Sequence, residues 1–255
     1  MTPERVAFLN RIRTAVADTT AERLPLEILL APADDEPLLA ALAGRTQNQR
    51  MELLQQLIAN AAPLNLQVST CATLPEAAGR IAAIALASEP EFSGQKTLIL
   101  HEHRLLQTLA LDTLTELEDI PKHWTSRANT RVRAHTLAAS IGITVADWGI
   151  AESATIVQLT RPGRPRSTSL VPSVHIALLP LSRLVADLAE AFALVRREPE
   201  HASMVLISGP SKTADIEACM VLGAHGPRAM HLLVLTGAAD VAASSFLVAS
   251  CSQCC

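Results

Sequence analysis

The sequence predicts an α/β protein with a mostly parallel sheet and helices on both faces, preceded by an amino-terminal helical segment. Short apolar runs typical of buried strands alternate with longer runs whose apolar residues recur at helical spacing. This alternation becomes regular after about residue 64, and no internal repeat interrupts it. We expect three parts: a helical segment over residues 1–60, an α/β domain over 61–236, and a disordered tail over 237–255.

The first half of the chain begins with a helix from Met1 to about Asp18, in which Pro3 suits the first helical position. A loop over residues 22–37 and a second helix, broken near Gly44, should follow. The second helix should run from Leu38 to Ala61. After it we predict a strand at Leu64–Ser69, a helix at Pro75–Ala87, a strand at Lys96–His101, a helix at Leu105–Leu117 and a loop containing Trp124.

The second half should contain five strands and three helices. Its predicted elements are a helix at Val132–Ile141, strands at Ile143–Val145, Ala154–Leu159 and Val174–Leu179, a helix at Ser182–Arg197 capped by Ser182, a strand at Met204–Ile207, a helix that begins near Ser211 or Thr213, and a last strand at Met230–Leu235. The run Arg161-Pro162-Gly163-Arg164-Pro165-Arg166 is predicted to be a turn.

Composition excludes several function classes. The net charge is −4, so general affinity for the phosphate backbone of nucleic acids is not indicated. The chain has two tryptophans, four phenylalanines and no tyrosine, so stacking of nucleic-acid bases on aromatic side chains is not indicated either. No apolar run is long enough to span a membrane, and the first 16 residues lack the apolar core of a signal peptide. We therefore expect a cytoplasmic protein.

The stretch SGPSKTADIE at residues 208–217 is the strongest candidate for a ligand site. Gly209 and Pro210 break the chain after an apolar run, and acids at 215 and 217 suit the first turn of a helix. The free N–H groups of such a helix attract anions, and Lys212 would add a positive charge. Ligands of parallel sheets bind outside the carboxyl ends of the strands, where this turn is expected to lie. A capped helix with the lysine in solvent is the alternative.

Two further stretches carry groups capable of chemistry. Asp147 and Glu152 are carboxylates in a glycine-containing turn, where they could act as acids, bases or nucleophiles, or merely close the turn. His225 lies between Gly223 and Gly226 and could bind an anion, transfer a proton or bond the backbone of its turn.

We predict no metal site. The sequence His101-Glu102-His103 offers a single pair of histidines, and the CxxCC spacing of the last five residues has too few ligands for a zinc or iron–sulfur centre.

Four blocks together resemble the LUD-domain family, and within it the lactate utilization protein C branch, LutC/YkgG. They are GITVADWGIAESATIV, SLVPSVHIALLP, ISGPSKTADIE and LGAHGPRAMHLLVL, within residues 141–235, and the opening helix is also similar. One departure is Ala154, which stands where the family has glycine. The resemblance implies a fold like the NagB/RpiA/CoA-transferase group and a role in oxidising L-lactate to pyruvate, with the iron–sulfur clusters carried by partner subunits and no cofactor bound by this chain.

The resemblance places Glu152 and His225 in two of the family's motifs, and we predict from their chemistry that they are the catalytic residues. The suggested ligand-binding residues are Ser208, Gly209, Ser211, Lys212, Thr213, Asp215, Glu217 and Gly226. A small carboxylate or phosphate-type anion is the expected ligand, and whether the chain is itself an enzyme stays open. The alternatives are a stand-alone CoA-transferase-like or ligase-like enzyme of the same fold group, and a non-catalytic assembly protein.

Overall fold

The computed structural model describes residues 3–17, 35–90, 95–126, 128–198, 201–216, 219–223 and 225–241. The chain divides into two compact units, Met1–Glu36 and Pro37–Cys255. The first contains helix α1 (Pro3–Ala17), which begins at the predicted proline. The predicted loop over residues 22–37 and the predicted tail lie almost wholly outside the described residues.

The other helices and strands follow the predicted alternation in most places. The helices are α2 (Glu36–Ala43), α3 (Gln47–Ala61), α4 (Leu74–Ala87), α5 (Arg104–Thr108), α6 (Val132–Ala138), α7 (Ser167–Leu170) and α8 (Leu188–Val195). The strands are β1 (Leu66–Cys71), β2 (Leu98–Leu100), β3 (Lys122–Trp124), β4 (Ile141–Val145), β5 (Trp148–Ile150), β6 (Thr155–Thr160), β7 (Val174–Pro180), β8 (Leu184–Val185), β9 (Ser203–Ile207), β10 (Lys212–Ile216), β11 (Cys219–Leu222) and β12 (Ala229–Leu235).

A six-stranded sheet in the order β1-β12-β7-β4-β2-β3 forms the centre of the second unit, and every pair in it is parallel. The strands β4 and β7 are buried along their whole length, which is why the sequence shows them as continuous apolar runs. The predicted parallel sheet is therefore confirmed.

Helices cover both faces of this sheet. The buried side of α4, with Ile81 and Ala85, packs on one face, and α3 packs on the other through Leu54 and Leu57. Both helices have clear starts: Thr46 forms a capping box with Gln49 at α3, and the Thr73 side chain accepts from the N–H of Glu76 at α4.

A second sheet, in the order β8-β5-β6-β9, was not predicted. In it β6 is antiparallel to both neighbours, and β5 and β8 are parallel. The sequence predicts a glycine-containing turn between Asp147 and Glu152, but residues 148–150 form strand β5. A Cβ on Gly149 would lie 2.4 Å from Leu179 Cδ2, so glycine permits close approach of the two sheets. The run at residues 204–207 is a strand, as predicted, but it belongs to this sheet.

The prediction of a helix that begins near Ser211 or Thr213 is wrong. Residues 212–216 form β10, which pairs antiparallel with β11. Acids in a first helical turn contribute only about 0.3–1 kcal/mol, whereas strand pairing satisfies several backbone groups at once. Long-range pairing thus overrides the local helix signal.

Three other predicted elements are shorter than expected. Ser182 does not cap a helix, because its N–H and hydroxyl both donate to Asp240 Oδ1, at 2.9 and 2.7 Å. The helix begins at Leu188 instead, where the Asp187 side chain accepts from the N–H of Glu190 at 3.0 Å. The segment predicted as one helix at 105–117 is α5 followed by two 3₁₀ turns, α6 ends at Ala138, and Trp124 lies at the end of β3.

Two histidines are buried beside the parallel sheet. His175 Nε2 lies 2.9 Å from Thr144 Oγ1, and His101 Nε2 lies 3.2 Å from the carbonyl oxygen of Pro165. Burial lowers the pKa of each to about 3. Both are therefore neutral in the folded protein at any pH near 7.

This burial predicts that acid destabilises the fold well above the pKa values of carboxylates. The unfolded chain protonates both imidazoles below about pH 6.5, and the folded chain does not. The free energy of unfolding should fall by roughly 1.4 kcal/mol per pH unit for each histidine below about pH 6. Denaturant titrations between pH 7 and 5 measure this slope. His175→Gln should remove the contribution of that histidine to the slope and leave those of His101 and of His103, whose pKa is also lowered by burial, to about 4. A flat profile in the wild-type protein would contradict the assignment.

Candidate functional site

The predicted ligand-binding stretches meet around residues 60–65, which connect α3 to β1. Asn60 Nδ2 donates to the carbonyl oxygens of Ala151 and Glu152, at 3.0 and 2.8 Å. Lys212 Nζ lies 3.4 Å from the carbonyl oxygen of Pro63. A Cβ on Gly209 would lie 2.8 Å from the carbonyl oxygen of Leu64, and Gly209 has a φ of +97°. We call this region, with Glu152, Ser208, Ser211, Lys212 and His225, the amino-edge site.

The expected position of the site at the carboxyl ends of the strands is wrong. The connector 60–65 precedes β1, and His225 and Gly226 precede β12, so these residues lie at the amino edge of the parallel sheet. The error follows from β9: this strand pairs with β6 in the second sheet, so the turn after it does not follow a strand of the parallel sheet.

The turn containing Glu152 is held rigidly from several sides. The Glu152 N–H donates to the Ala186 carbonyl at 3.0 Å, and Ala154 has a φ of +46°. That left-handed conformation costs a residue with a Cβ about 1–2 kcal/mol, a cost that glycine would avoid. A hydroxyl chain runs from Ser153 through Thr155 to Ser208, with oxygen–oxygen distances of 2.8 and 2.6 Å.

The corner containing His225 is built around Ser211. The Ser211 N–H donates to the Pro227 carbonyl at 2.8 Å, and the Gly223 N–H donates to the Ser211 carbonyl at 3.0 Å. The N–H of His225 is 3.4 Å from Ser211 Oγ, and a Cβ on Gly226 would lie 3.3 Å from the Ser211 Cβ. The glycines therefore let the loop close on Ser211 and leave His225 exposed.

The amino-edge site presents three exposed functional side chains: Glu152, Lys212 and His225. Among the described residues none of them forms an ion pair within 4 Å. An ammonium beside serine hydroxyls can hold a small anion, and a carboxylate or an imidazole can accept a proton. Of the other predicted ligand-binding residues, Thr213 and Asp215 lie in β10, and Glu217 lies outside the described residues.

A second group of charges lies at the carboxyl edge of the sheet. Asp147 follows β4, and its carboxylate accepts from Arg161 Nη1 at 2.5 Å and from the N–H of Leu159 at 2.7 Å. Arg161 Nη2 also contacts Glu198 at 2.6 Å, and Arg164 Nη1 lies 3.6 Å from Asp147. Sequence reasoning noticed Asp147 but missed these arginines, although the Arg-Pro-Gly-Arg-Pro-Arg run marked them.

The turn that carries these arginines is fixed to the ends of β2 and β3. Gly163 has a φ of +77°, and its carbonyl accepts from the Glu102 N–H at 2.9 Å and from Thr125 Oγ1 at 2.5 Å. His103 lies nearby, and burial, followed by the charge of Arg164, lowers its pKa to about 4. This edge therefore combines fixed guanidinium groups with a neutral imidazole at pH 7.

No group of three or more His, Cys, Asp or Glu side chains that could hold a metal ion occurs in the described ranges. Within the same residues, no helix has the length and apolar character needed to cross a membrane.

Comparison with known proteins gives consistent matches. A family model described as the LUD domain matches residues 54–235. Lactate utilization protein C of Exiguobacterium sp. is 44% identical over 117 residues, which cover 44% of this chain and 51% of that protein. Lactate utilization protein C of Bacillus velezensis is 29% identical over 89% of this chain and 94% of that protein. The uncharacterized protein YkgG of Escherichia coli is 28% identical over 90% of this chain and 97% of that protein.

The matched region spans about half the length of the Exiguobacterium relative and nearly all of the other two. A crystal structure of a DUF162 family protein from Deinococcus radiodurans is 19% identical and covers 73% of this chain and 98% of that chain, with a TM-score of 0.48.

Proposed function

Because the chain belongs to the LUD domain family, we propose that it takes part in lactate utilization and binds a small carboxylate, such as lactate or pyruvate, at the amino-edge site. Relatives that carry the name Lactate utilization protein C support the process. The observation that carries the proposal is that three exposed side chains lie around one connector: Asn60 holds the backbone of the Glu152 turn, Lys212 Nζ contacts the carbonyl oxygen of Pro63, and the N–H of His225 contacts Ser211 beside Lys212.

Each residue has a role in this proposal. Lys212 binds the carboxylate group of the ligand, and the hydroxyls of Ser208 and Ser211 accept or donate hydrogen bonds beside it. Glu152 or His225 takes the proton of the ligand hydroxyl. The hydrogen bonds that hold the backbone of the Glu152 turn and of the His225 corner limit the entropy lost when the ligand binds.

Oxidation of lactate to pyruvate releases two electrons and two protons. We propose that iron–sulfur subunits of the same system accept the two electrons, as the family resemblance implies, while this chain binds and orients the ligand. Of Glu152 and His225, one takes the hydroxyl proton and the other takes the proton of the Cα–H bond that breaks. A dye serves as the final electron acceptor in the test described below.

Lys212→Ala is expected to weaken pyruvate binding by roughly 10-fold, because it removes one charge-assisted hydrogen bond. The free energy of unfolding of this variant should stay close to that of the wild type. The Lys212 side chain is exposed, and its one described contact is that of Nζ with the carbonyl oxygen of Pro63, at 3.4 Å. Isothermal titration calorimetry with pyruvate measures the affinity of the variant, and denaturant titration measures its free energy of unfolding.

The matched control is Lys96→Ala. Lys96 Nζ also donates to a single backbone carbonyl, that of Leu86, at 2.8 Å. Equal weakening by both substitutions would exclude a specific role for Lys212.

The wider proposal is tested by lactate-dependent dye reduction in a lysate that contains the cluster-bearing partners, with and without this chain. Reduction that requires the chain, and that Lys212→Ala or Glu152→Gln abolishes, supports the site. Reduction restored equally by both variants would make the chain an assembly protein. Reduction that never requires the chain would overturn the lactate proposal and favour an independent transferase or ligase.

A further inference from the structure

A cleft of about 290 Å³ is lined by residues of α2, α3, α8 and the second sheet. Its apolar wall comes from Leu39 and Leu42 of α2, Leu184 of β8 and Leu194 of α8. Three arginines, Arg45, Arg50 and Arg183, also line it. We call it the arginine cleft.

The charges in the arginine cleft are unbalanced. Arg45 Nη2 pairs with Glu190 Oε1 at 2.7 Å, and the other oxygen of Glu190 accepts from the Ala186 N–H at 2.7 Å, so both oxygens of this carboxylate already have a partner. Arg50 and Arg183 have no ion-pair partner within 4 Å among the described residues. The cleft therefore holds two guanidinium groups whose charge no described carboxylate neutralises by contact.

The position of Arg183 is fixed by its surroundings. Its guanidinium lies 5.8 Å from the centre of the Trp148 ring, and Trp148 is buried. Burial lowers the pKa of Arg183, and the carboxylates of Glu198 and Asp147 oppose that change from a distance. An anion in the cleft would lower the free energy of this partly desolvated charge.

The apolar wall indicates what the remainder of the ligand must be. Sites for drug-sized ligands measure about 300–1,000 Å³, so a cleft at the lower limit suits a smaller molecule. The leucine side chains would bury an apolar group, at about 25 cal/mol per Å² removed from water. Guanidinium groups match carboxylate and phosphate oxygens equally well in geometry.

We propose that the arginine cleft binds a small organic anion, with a carboxylate or phosphate head held by Arg50 and Arg183 and an apolar body against Leu39, Leu42 and Leu194. None of these residues belongs to the amino-edge site. The inference is therefore independent of the proposed role in lactate utilization, and the two can fail separately.

Calorimetric titration of the full chain with four probes tests the proposal. Hexanoate and hexyl phosphate carry both the charge and the apolar body, 1-hexanol has only the body, and inorganic phosphate has only the charge. At least one of the two amphipathic anions should bind at least 10-fold more tightly than 1-hexanol and inorganic phosphate, and the tighter of them identifies the head group. Equal binding of 1-hexanol, or no saturable binding of either amphipathic anion, would overturn the proposal.

Substitutions localise the binding. Arg50→Gln and Arg183→Gln should each weaken the tighter amphipathic probe by roughly 10-fold, from the loss of one charge-assisted bond. Arg50→Lys keeps the positive charge but loses the planar guanidinium group, so it should weaken binding of the same probe less than Arg50→Gln does. Arg80→Gln removes an exposed arginine on α4, outside the cleft, and should change nothing. An affinity that survives both Arg50→Gln and Arg183→Gln, in variants whose circular dichroism is unchanged, would place the ligand elsewhere.

Discussion

Gly142→Ala is expected to reduce the free energy of unfolding by about 3 kcal/mol or more, the largest effect of a single methyl group that the structure implies. Gly142 lies in the middle of the parallel sheet, on β4, beneath helix α7. A Cβ at this position would lie 1.9 Å from the carbonyl oxygen of Thr168 and 3.0 Å from Pro172 Cγ. A backbone oxygen cannot rotate away, so the whole of α7 would have to move off the sheet.

Gly79→Ala provides the matched control. Gly79 lies in α4, and a Cβ there meets no atom within 4 Å. Alanine should stabilise this helix by about 0.8–1 kcal/mol, because glycine has the poorer helix propensity. Denaturant titration of both variants should give changes of opposite sign. A Gly142→Ala variant within about 1 kcal/mol of the wild type would show that α7 does not pack on β4 as described.

Asp147→Ala should destabilise the protein by about 3–5 kcal/mol, because it removes the carboxylate shared by two partly buried cations and leaves Arg161 with Glu198 alone. The side chain of Asp147 is 11% exposed, and that of Arg161 is 12% exposed. Asp147 also accepts from the N–H of Leu159, so the substitution removes an acceptor from the backbone of β6 as well. Asp147→Asn retains that acceptor and should be less severe.

An exposed acid provides the comparison for Asp147. Asp112 is 63% exposed and lies 4.0 Å from Lys122, so Asp112→Ala should change the free energy of unfolding by less than about 1 kcal/mol. Salt should hardly alter the effect at Asp147, since buried pairs are weakly screened. Equal losses at the two positions, measured by denaturant titration, would contradict the buried network.

The parallel sheet could be predicted from the sequence because its central strands are buried on both faces. Val174–Pro180 and Ile141–Val145 are buried throughout, so each leaves a continuous apolar run whatever its neighbours are. Helices with strong caps, such as α3 and α4, could be predicted for a similar reason, since the capping residues act locally. The family resemblance is confirmed by the match over residues 54–235.

The elements that could not be predicted depend on distant partners. The β10–β11 hairpin has local signals that favour a helix, and only strand pairing reverses them. Arg161 sits in a turn with no apolar pattern, and its bonds to Asp147 and Glu198 join segments far apart in sequence. Ser211 and His225 come from separate stretches of the sequence and meet in the structure, and the edge of the sheet at which they lie depends on the strand order.

The strand order also has a consequence for synthesis of the chain. Strand β1 takes its place in the sheet only by pairing with β12, the last strand, and β12 in turn pairs with β7. While the ribosome is still translating the region between them, β1 and α3 have no finished surface on which to pack. Closing so long a segment costs entropy before any contact compensates for it, which slows folding. Strand β1 and helix α3 therefore lack part of their packing surface, and apolar side chains such as Leu57 and Leu66 stay partly uncovered, until residues near 235 have left the exit tunnel.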